Sequence, residues 1–529
     1  MRAHPRTATA LAAIVTAGFF GWTGPAAAAP APSAAPPQSD LWANQTGISA
    51  LVSVIKGAGG DKADKANPDV AAPKTGAALT GAGIGVALID SGVSPVAGLT
   101  GAGKVVNGPD LSFESQAANL RYLDTYGHGT HMAGIIAGDD PASVTGAAHF
   151  SGVAPGAHIV SVKVAAADGA SDVSQVIAGI DWVVAHRNDP GLNIRVLNLS
   201  YGTESTQSAT LDPLAYAVEK AWEAGIVVVV AAGNDGFAAT SLTMPAVDPD
   251  VIAVGAADPR NTDIRTDDVV ADFSNRGNAT RHADVLAAGR SVVSLRSPGS
   301  YIDRTYPAAR LSITADPAQR FLRGSGTSQA AAVVSGSVAL LLQQRPDLKP
   351  DAVKNLLMST ADPITGGDAY AAGSGQINIA RAAATKSNNG FLQINLPATG
   401  LGKLELSRGG AYVYDSVSGT ALTGETDIFG RAWNAPAWAL ASARQKTWSG
   451  GSWNGSTWTG TTWGAAVAGD KTWAPATWTG RSWSGDNWAG RSWSDAGWNG
   501  RSWSSQTWTG RSWSGRSWSA AGWTGVPWH

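Results

Sequence analysis

The sequence predicts an α/β protein whose mostly parallel central sheet is flanked by helices. Short runs rich in valine and isoleucine alternate with stretches whose apolar residues recur at helical spacing, from about residue 80 to residue 385. Strands that form nearly continuous apolar runs are typical of parallel sheets, because helices bury both faces. Hydrophobic residues make up 44% of the 529-residue chain, which is enough for a sizeable core.

Five apolar runs are the predicted strands of this sheet. Each has six or seven residues and is too short for a buried helix. They span residues 85–90, 158–164, 195–200, 226–232 and 251–256.

Amphipathic helices are predicted between and after these strands. Apolar side chains recur at helical spacing over residues 173–184 and again over residues 214–221, and we expect both stripes to face the core. A longer helix is predicted from Ser328 to Gln344, where Pro346 stops it. Pro350 then begins another helix, as a first-turn proline does.

The two ends of the chain differ from this middle region. Residues 1–28 have the order of a secretory signal peptide, since Arg2 and Arg6 precede an apolar run and small residues follow it. A membrane anchor is the alternative, and the apolar run is short for one. The other predicted regions are an Ala/Pro-rich linker or short leader at 29–75, the α/β domain at 76–385, a small β-rich extension at 386–432 and a repeat tail at 433–529.

The tail is a tryptophan repeat with a period of five. Tryptophan recurs from Trp433 to Trp528, and only Ala443 and Ala468 stand where a tryptophan is due. A period of five fits neither a helix nor a strand, so we expect glycine turns or no regular fold. Two interpretations are open. Exposed indoles would bind a cell-wall or surface glycan, or a low-complexity tail would collapse and cap the preceding domain.

Charge and cysteine content exclude several classes of function. The formal net charge is −2 without basic clusters, so we expect no nucleic-acid partner. An exported chain without cysteine has no disulfides, no thiolate metal site and no cysteine nucleophile. No later apolar run is long enough to span a membrane. We therefore expect an extracellular mature protein, in solution or associated with the cell wall.

Four polar side chains stand where catalysis by a serine would need them. Asp90 and Asn234 follow predicted strands, whereas His128 and Ser328 open predicted helices. Strand carboxyl ends and helix N termini gather at one edge of an α/β sheet, so these residues can meet there. Each of them alone is also typical of a cap or a turn. Together they predict a nucleophile, a base, an orienting carboxylate and an oxyanion donor.

Five motifs resemble those of the subtilisin-like serine peptidases, the subtilases. VALIDSG resembles the aspartate motif of that family, HGTHMAG the histidine motif, LNLSYG the substrate-binding strand, AAGNDG the oxyanion asparagine motif and GTSQAAA the serine motif. They occur in the order of the family over roughly residues 75–385. The resemblance implies a subtilisin-like fold and an endopeptidase that acts on polypeptides.

The resemblance also implies a role for each residue that matches a motif. Ser328 would be the nucleophile, His128 the general base and then acid, and Asp90 the group that orients His128. Asn234 would donate its side-chain amide to the oxyanion, beside the backbone N–H of Ser328.

Ser200, Tyr201 and Gly202 would pair with the substrate backbone as an added strand. His131 is expected to be a structural residue. The chain departs from the family pattern at Gln329 and Ala332, where methionine and proline are usual, and neither change removes a catalytic group. Residues 29–75 are also short for the folded prosegment that many secreted subtilases carry.

No metal site is assigned from the sequence, and no cofactor is required for the chemistry. A structural calcium, frequent in subtilases, is left open among five aspartates without a placed site. They are Asp258, Asp263, Asp267, Asp268 and Asp272.

The predicted function is hydrolysis of peptide bonds in proteins by a secreted serine endopeptidase, through an acyl-enzyme intermediate. The alternative is a cell-surface or glycan-binding protein in which the tryptophan repeat is the functional part and the peptidase domain is secondary.

Overall fold

The structure, a computed structural model, describes residues 79–457 except 117–118, 144–148, 261, 263, 312–315, 365–367 and 414–420. The predicted signal peptide, the predicted linker and the repeat units beyond residue 457 lie outside these residues.

Strands and helices alternate through the first three quarters of the described chain. The strands are β1 Gly85–Asp90, β2 Val105–Asp110, β3 Asp139–Ser143, β4 His149–Ser151, β5 His158–Lys163, β6 Ile194–Leu199, β7 Val227–Ala231, β8 Ile252–Asp258, β9 Val269–Val270, β10 Val285–Ala288, β11 Val292–Leu295, β12 Phe321–Gly324, β13 Trp448–Ser449, β14 Ser452–Trp453 and β15 Ser456–Thr457. The α-helices are α1 His128–Ala137, α2 Val173–His186, α3 Pro213–Glu223, α4 Tyr301–Thr305, α5 Thr327–Gln344, α6 Pro350–Ser359, α7 Ala369–Ala372, α8 Ile379–Ala384, α9 Leu404–Arg408 and α10 Ala435–Ala443.

A mostly parallel sheet forms the centre of the fold, as predicted. Its strand order is β10-β8-β7-β6-β1-β5-β2, and every pair along this path is parallel. The short strand β9 adds to β8 in the antiparallel direction. All five predicted strands are confirmed to within two residues, because a buried apolar run is a local signal.

Two of the helices that flank the sheet, α2 and α3, begin at side-chain caps. Asp172 opens α2 with a capping box, in which its carboxylate accepts from Ser174 N and its own N–H donates to Gln175 Oε1. Asp212 opens α3 by accepting from Leu214 N at 2.7 Å. The predicted helix over residues 328–344 is confirmed as α5, which packs against β6, β7, β8 and β10. It is buried almost all round, which explains its weak amphipathic pattern.

The prediction of a β-rich extension over residues 386–432 is wrong for the part that the structure describes. That part contains helix α9 and one isolated bridge, between Thr426 and Ala432, and none of the strands. Leu392, Ile394 and Leu396 do alternate, but they are 65%, 97% and 79% exposed. Among the described residues this segment joins none of the strands, and two of its N–H groups donate to side chains, Gln393 N to Asp351 Oδ2 at 3.2 Å and Ala398 N to Glu219 at 2.8 Å.

The first units of the tryptophan repeat pack against the α/β domain. Trp433, Trp438, Trp448 and Trp453 are all buried in the main hydrophobic core. Trp438 lies in helix α10, whereas Trp448 and Trp453 face each other across the hairpin of β13 and β14. For these four units the structure favours the interpretation of a cap. The remaining units lie outside the described residues.

Candidate active site

Three of the predicted site segments leave adjacent strands of the sheet. Asp90 is the last residue of β1, Ser200 follows β6, and Asn234 lies three residues after β7. Strand β6 pairs with both β1 and β7, so the three carboxyl ends are neighbours at one edge. This edge is where an open α/β sheet places its ligands.

His128 and Asp90 form a buried pair at this edge. Nδ1 of His128 lies 2.7 Å from Oδ1 and 2.8 Å from Oδ2 of Asp90. Burial lowers the pKa of His128 well below its usual value, and burial raises the pKa of Asp90, against the opposing effect of hydrogen bonds from Ser91. The imidazole is therefore neutral at neutral pH, which is the form that can accept a proton.

The glycine that follows His128 lets the helix approach the aspartate. A Cβ on Gly129 would lie 2.1 Å from the carbonyl oxygen of Gly92 and 3.1 Å from Oδ1 of Asp90. Any larger residue would push the start of α1 away from the end of β1. The close approach of Gly92 and Asp90 thus explains why a glycine follows His128.

A second buried carboxylate, Asp124, supports the pair and was missed by the sequence analysis. It accepts from Gly127 N at 2.6 Å and from Thr130 N at 2.7 Å, and so caps α1, the helix that carries His128. It also accepts from Ser91 Oγ at 2.8 Å, and the same hydroxyl lies 3.2 Å from Oδ1 of Asp90. The only sequence signal was an aspartate four residues before the histidine.

Ser328 is the second residue of α5, the helix that packs against α1. Its hydroxyl is buried, and among the described residues its oxygen forms no hydrogen bond. Its hydrogen bond to His128 is therefore not formed in this structure, and catalytic hydrogen bonds often tighten only when substrate binds. The structure brings His128 against Asp90, and it brings together α1 and α5, the helices that carry His128 and Ser328.

Asn234 is oriented by the start of the same helix. Its Oδ1 accepts from Thr327 N at 2.8 Å, and Thr327 Oγ1 in turn accepts from Gly233 N at 3.2 Å. With Oδ1 fixed in this way, Nδ2 has no partner among the described residues although it is buried. A buried amide donor without an acceptor is costly, so it marks a place where an acceptor is expected.

The remaining predicted residues are also located. Ser200, Tyr201 and Gly202 lie in one buried segment, and Thr203 after them pairs with Met244 through two backbone hydrogen bonds. His131 is buried in α1, where burial lowers its pKa to about 3, as suits a structural residue.

The aspartates considered for calcium are largely committed to other partners. Asp258 and Asp272 both form ion pairs with Arg290, and Asp267 accepts from Thr262. Asp263 lies outside the described residues.

Three other carboxylates lie close together, but they also have partners, since Glu219 accepts from Ala398 N and Asp250 accepts from Asn395 Nδ2. Oxygen atoms of Glu219, Asp248 and Asp250 lie within 4.8 Å of one another. Oxygen ligands suit calcium.

Comparison with known proteins identifies the family. The sequence profile of the subtilase family, peptidase S8, matches residues 81–393. The chain belongs to the subtilase family. Its predicted subtilisin-like fold and its predicted class, serine-type endopeptidase, are thereby confirmed.

Several subtilases resemble the chain over this region. It is 36% identical to serine protease AprX of Bacillus subtilis (strain 168) over 324 residues, which are 60% of this chain and 70% of that protein. It is 35% identical to subtilisin DY of Bacillus licheniformis over 305 residues, which are 57% of this chain and 92% of that protein. The crystal structure of a cold adapted subtilisin-like serine proteinase matches with 29% identity and a TM-score of 0.42, over 56% of this chain and 88% of that one.

The sequence predicts no membrane-spanning segment after the signal peptide. Over the part of the chain that the structure describes, none of the helices is both long and apolar enough to cross a bilayer.

Proposed function

We propose that this subtilase hydrolyses peptide bonds of polypeptides through an Asp90–His128–Ser328 triad and an acyl-enzyme intermediate. The observation that carries the proposal is the buried contact of His128 Nδ1 with Asp90, at the edge where α1 and α5 come together. Nδ1 carries the proton that faces the carboxylate, which leaves Nε2 as the base.

In the first half of the reaction, Nε2 of His128 takes the proton of Ser328 Oγ as that oxygen attacks the carbonyl carbon. The negative charge moves to the carbonyl oxygen, where Nδ2 of Asn234 and the N–H of Ser328 donate to it. The N–H of Ser328 is available because the first N–H groups of a helix have no partner within the helix. His128 then gives its proton to the leaving amine, and the acyl-enzyme remains.

In the second half, water takes the place of the amine. His128 accepts a proton from the water, whose oxygen attacks the acyl carbon. Return of that proton to Ser328 Oγ releases the carboxylic acid product. The substrate backbone lies beside Ser200, Tyr201 and Gly202 as an added strand, so recognition relies on main chain more than on side chains.

A matched pair of serine variants tests the proposal. Ser328→Ala should abolish hydrolysis of a denatured protein and labelling by a serine-directed phosphonate. Ser337→Ala is the control, because this buried hydroxyl lies on the same helix and has no partner among the described residues. It should leave both readouts unchanged. Hydrolysis by Ser328→Ala at the rate of the wild type would refute the triad.

Export of the enzyme is part of the proposal, on the basis of the signal-peptide order in residues 1–28. Mass spectrometry of the protein in culture medium should show a mature N terminus near residue 29. A cell-bound protein that retains residue 1 would contradict export.

Glycan binding by the repeat remains a prediction about residues 458–529, which the structure does not describe. A chain that ends at Thr457 keeps the buried tryptophans and should lose binding to cell walls if the remaining units bind glycan. Equal binding by the two chains would contradict it.

A further inference from the structure

The C-terminal extension contacts the loop that follows the predicted substrate strand. Residues 402–409, which we call the clamp segment, lie against the loop 203–212 that joins β6 to α3. Thr203 Oγ1 donates to the carbonyl oxygen of Ser407 at 2.6 Å, and Thr206 N donates to that of Leu406 at 3.4 Å. Since the loop begins directly after Gly202, the clamp segment touches the continuation of the predicted substrate strand.

The side chain of Gln207 strengthens this contact from both ends. Its Nε2 donates to the carbonyl oxygen of Lys403 at 2.9 Å, and its Oε1 accepts from Lys403 N at 3.0 Å. The loop thus pairs with the clamp segment much as one backbone pairs with another.

Close packing at Gly409 shows how tightly the two segments fit. A Cβ at this position would lie 2.3 Å from the carbonyl carbon of Glu204 and 2.4 Å from its oxygen. Gly409 also has a φ of 59°, a left-handed conformation that glycine adopts without strain. The backbone of the clamp segment therefore limits where residues 204 and 205 can lie.

The clamp segment is itself fixed to the residues that cap α2 and α3. Arg408 is fully buried, and its Nε lies 2.6 Å from Oδ2 of Asp172, the cap of α2. Ser407 Oγ donates to Oδ1 of Asp212, the cap of α3, at 2.9 Å. A buried charge pair and a buried hydrogen bond hold one geometry, because breaking either leaves an unpaired polar group.

We propose that the clamp segment positions the substrate-binding strand and so determines the affinity of this subtilase for extended polypeptides. Thr203 connects the clamp segment to the substrate-binding strand. Its backbone N–H donates to Met244 O at 2.9 Å and its carbonyl accepts from Met244 N at 2.8 Å, while its hydroxyl is held by Ser407. The inference rests on the proposed function, since it assumes that residues 200–202 pair with substrate.

Thr203→Val tests whether the hydroxyl of Thr203 connects the clamp segment to the strand. The substitution keeps the shape of the side chain and removes the hydroxyl. We expect KM for a peptide that extends four residues before the scissile bond to rise at least fivefold, with kcat changed less than twofold. Labelling by a small serine-directed phosphonate should keep its rate, since that reagent does not pair with the strand. Thr203→Ser should have the KM of the wild type, because it keeps the hydroxyl that donates to Ser407.

Ser442→Ala is the matched control. It also removes one buried hydroxyl between the extension and the domain, the one that donates to Asp181 at 2.9 Å, and it leaves the loop untouched. It should lower Tm and leave KM unchanged. The proposal is overturned if Thr203→Val lowers Tm as Ser442→Ala does while KM stays at its wild-type value. Failure of the wild type itself to react with the phosphonate would instead refute the proposed function.

Discussion

Asp90 and Asp181 are both buried carboxylates that accept hydrogen bonds, but their partners differ. Asp90 is 1% exposed and Asp181 is 4% exposed, and burial raises the pKa of both. Asp90 faces Nδ1 of His128, a group that can become charged. Asp181 accepts from Nε1 of Trp438, from Nε1 of Trp453 and from Ser442 Oγ, all of which stay neutral.

The difference lies in the partner rather than in the carboxylate. An aspartate beside an imidazole stabilises the cation that forms when the imidazole takes a proton. An aspartate among indole and hydroxyl donors only satisfies them, and so joins two parts of the chain. We therefore expect changes at Asp90 to act on the reaction and changes at Asp181 to act on stability.

The strongest test of this comparison is replacement of the Asp90 carboxyl group by an amide. Asp90→Asn should lower kcat by roughly 10⁴-fold, because the amide favours the wrong imidazole tautomer and does not stabilise the imidazolium. The free energy of unfolding should change little, since the shape is kept. Rates at saturating peptide and a denaturant titration measure the two effects. A rate within tenfold of the wild type would remove Asp90 from the reaction.

The next largest effect is expected at Asp181, and on stability. Asp181→Ala should cost about 4 kcal/mol of unfolding free energy, because it leaves several buried donors without an acceptor. Denaturation is best measured in the Ser328→Ala background, where self-digestion cannot occur. In Asp181→Ala with Ser328 intact, kcat per active site, counted by titration with the phosphonate, should match that of the wild type. A large fall in kcat of the folded enzyme would erase the distinction between the two aspartates.

The pH dependence of stability sharpens the same point. Burial raises the pKa of Asp181 from 3.8 to about 6, so the folded state binds this proton more tightly than the unfolded state. That stabilisation is present below about pH 3.8 and is lost as the pH rises through about 6. Between about pH 3.5 and 7, the wild type should lose about 3 kcal/mol relative to Asp181→Asn, which cannot titrate there. A constant difference between the two proteins would contradict a raised pKa.

The smallest effect is expected from a single indole donor. Trp453→Phe keeps most of the buried ring and removes the N–H that lies 2.9 Å from Asp181. It should cost about 1 kcal/mol of unfolding free energy, the usual value of one buried hydrogen bond. Trp453→Ala is the contrasting variant, and it should cost about 3–5 kcal/mol through the cavity that it leaves. Equal losses would mean that the hydrogen bond, and not the ring, holds the hairpin.

Prediction from the sequence was most successful where the signal is local. The strands and the helices beside them depend on the spacing of apolar residues within one segment, and these were found to within two residues. The site segments have short motifs, because a tight turn or a helix start needs particular residues next to one another, as Gly129 shows. The roles of Ser328, Asn234 and the substrate strand stay predictions until they are tested.

Prediction failed where the outcome depends on a distant partner. Leu392, Ile394 and Leu396 have the alternation of a half-buried strand, but they are exposed and belong to none of the strands in the described residues. The sequence left open whether the repeat binds glycan or caps the domain, because the partner that buries Trp453 is Asp181, 272 residues away in the chain.

By itself, the sequence determined the family, the α/β class, the strands and the motif residues at the edge of the sheet. Only the tertiary structure decided which further carboxylates are buried and what each of them holds. Asp124, Asp172 and Asp181 are ordinary aspartates in the sequence, and each becomes important through donors that folding brings to it. The physical reason is that burial and hydrogen-bond partners are properties of the packed chain, whereas helical and strand periodicity belong to a short segment.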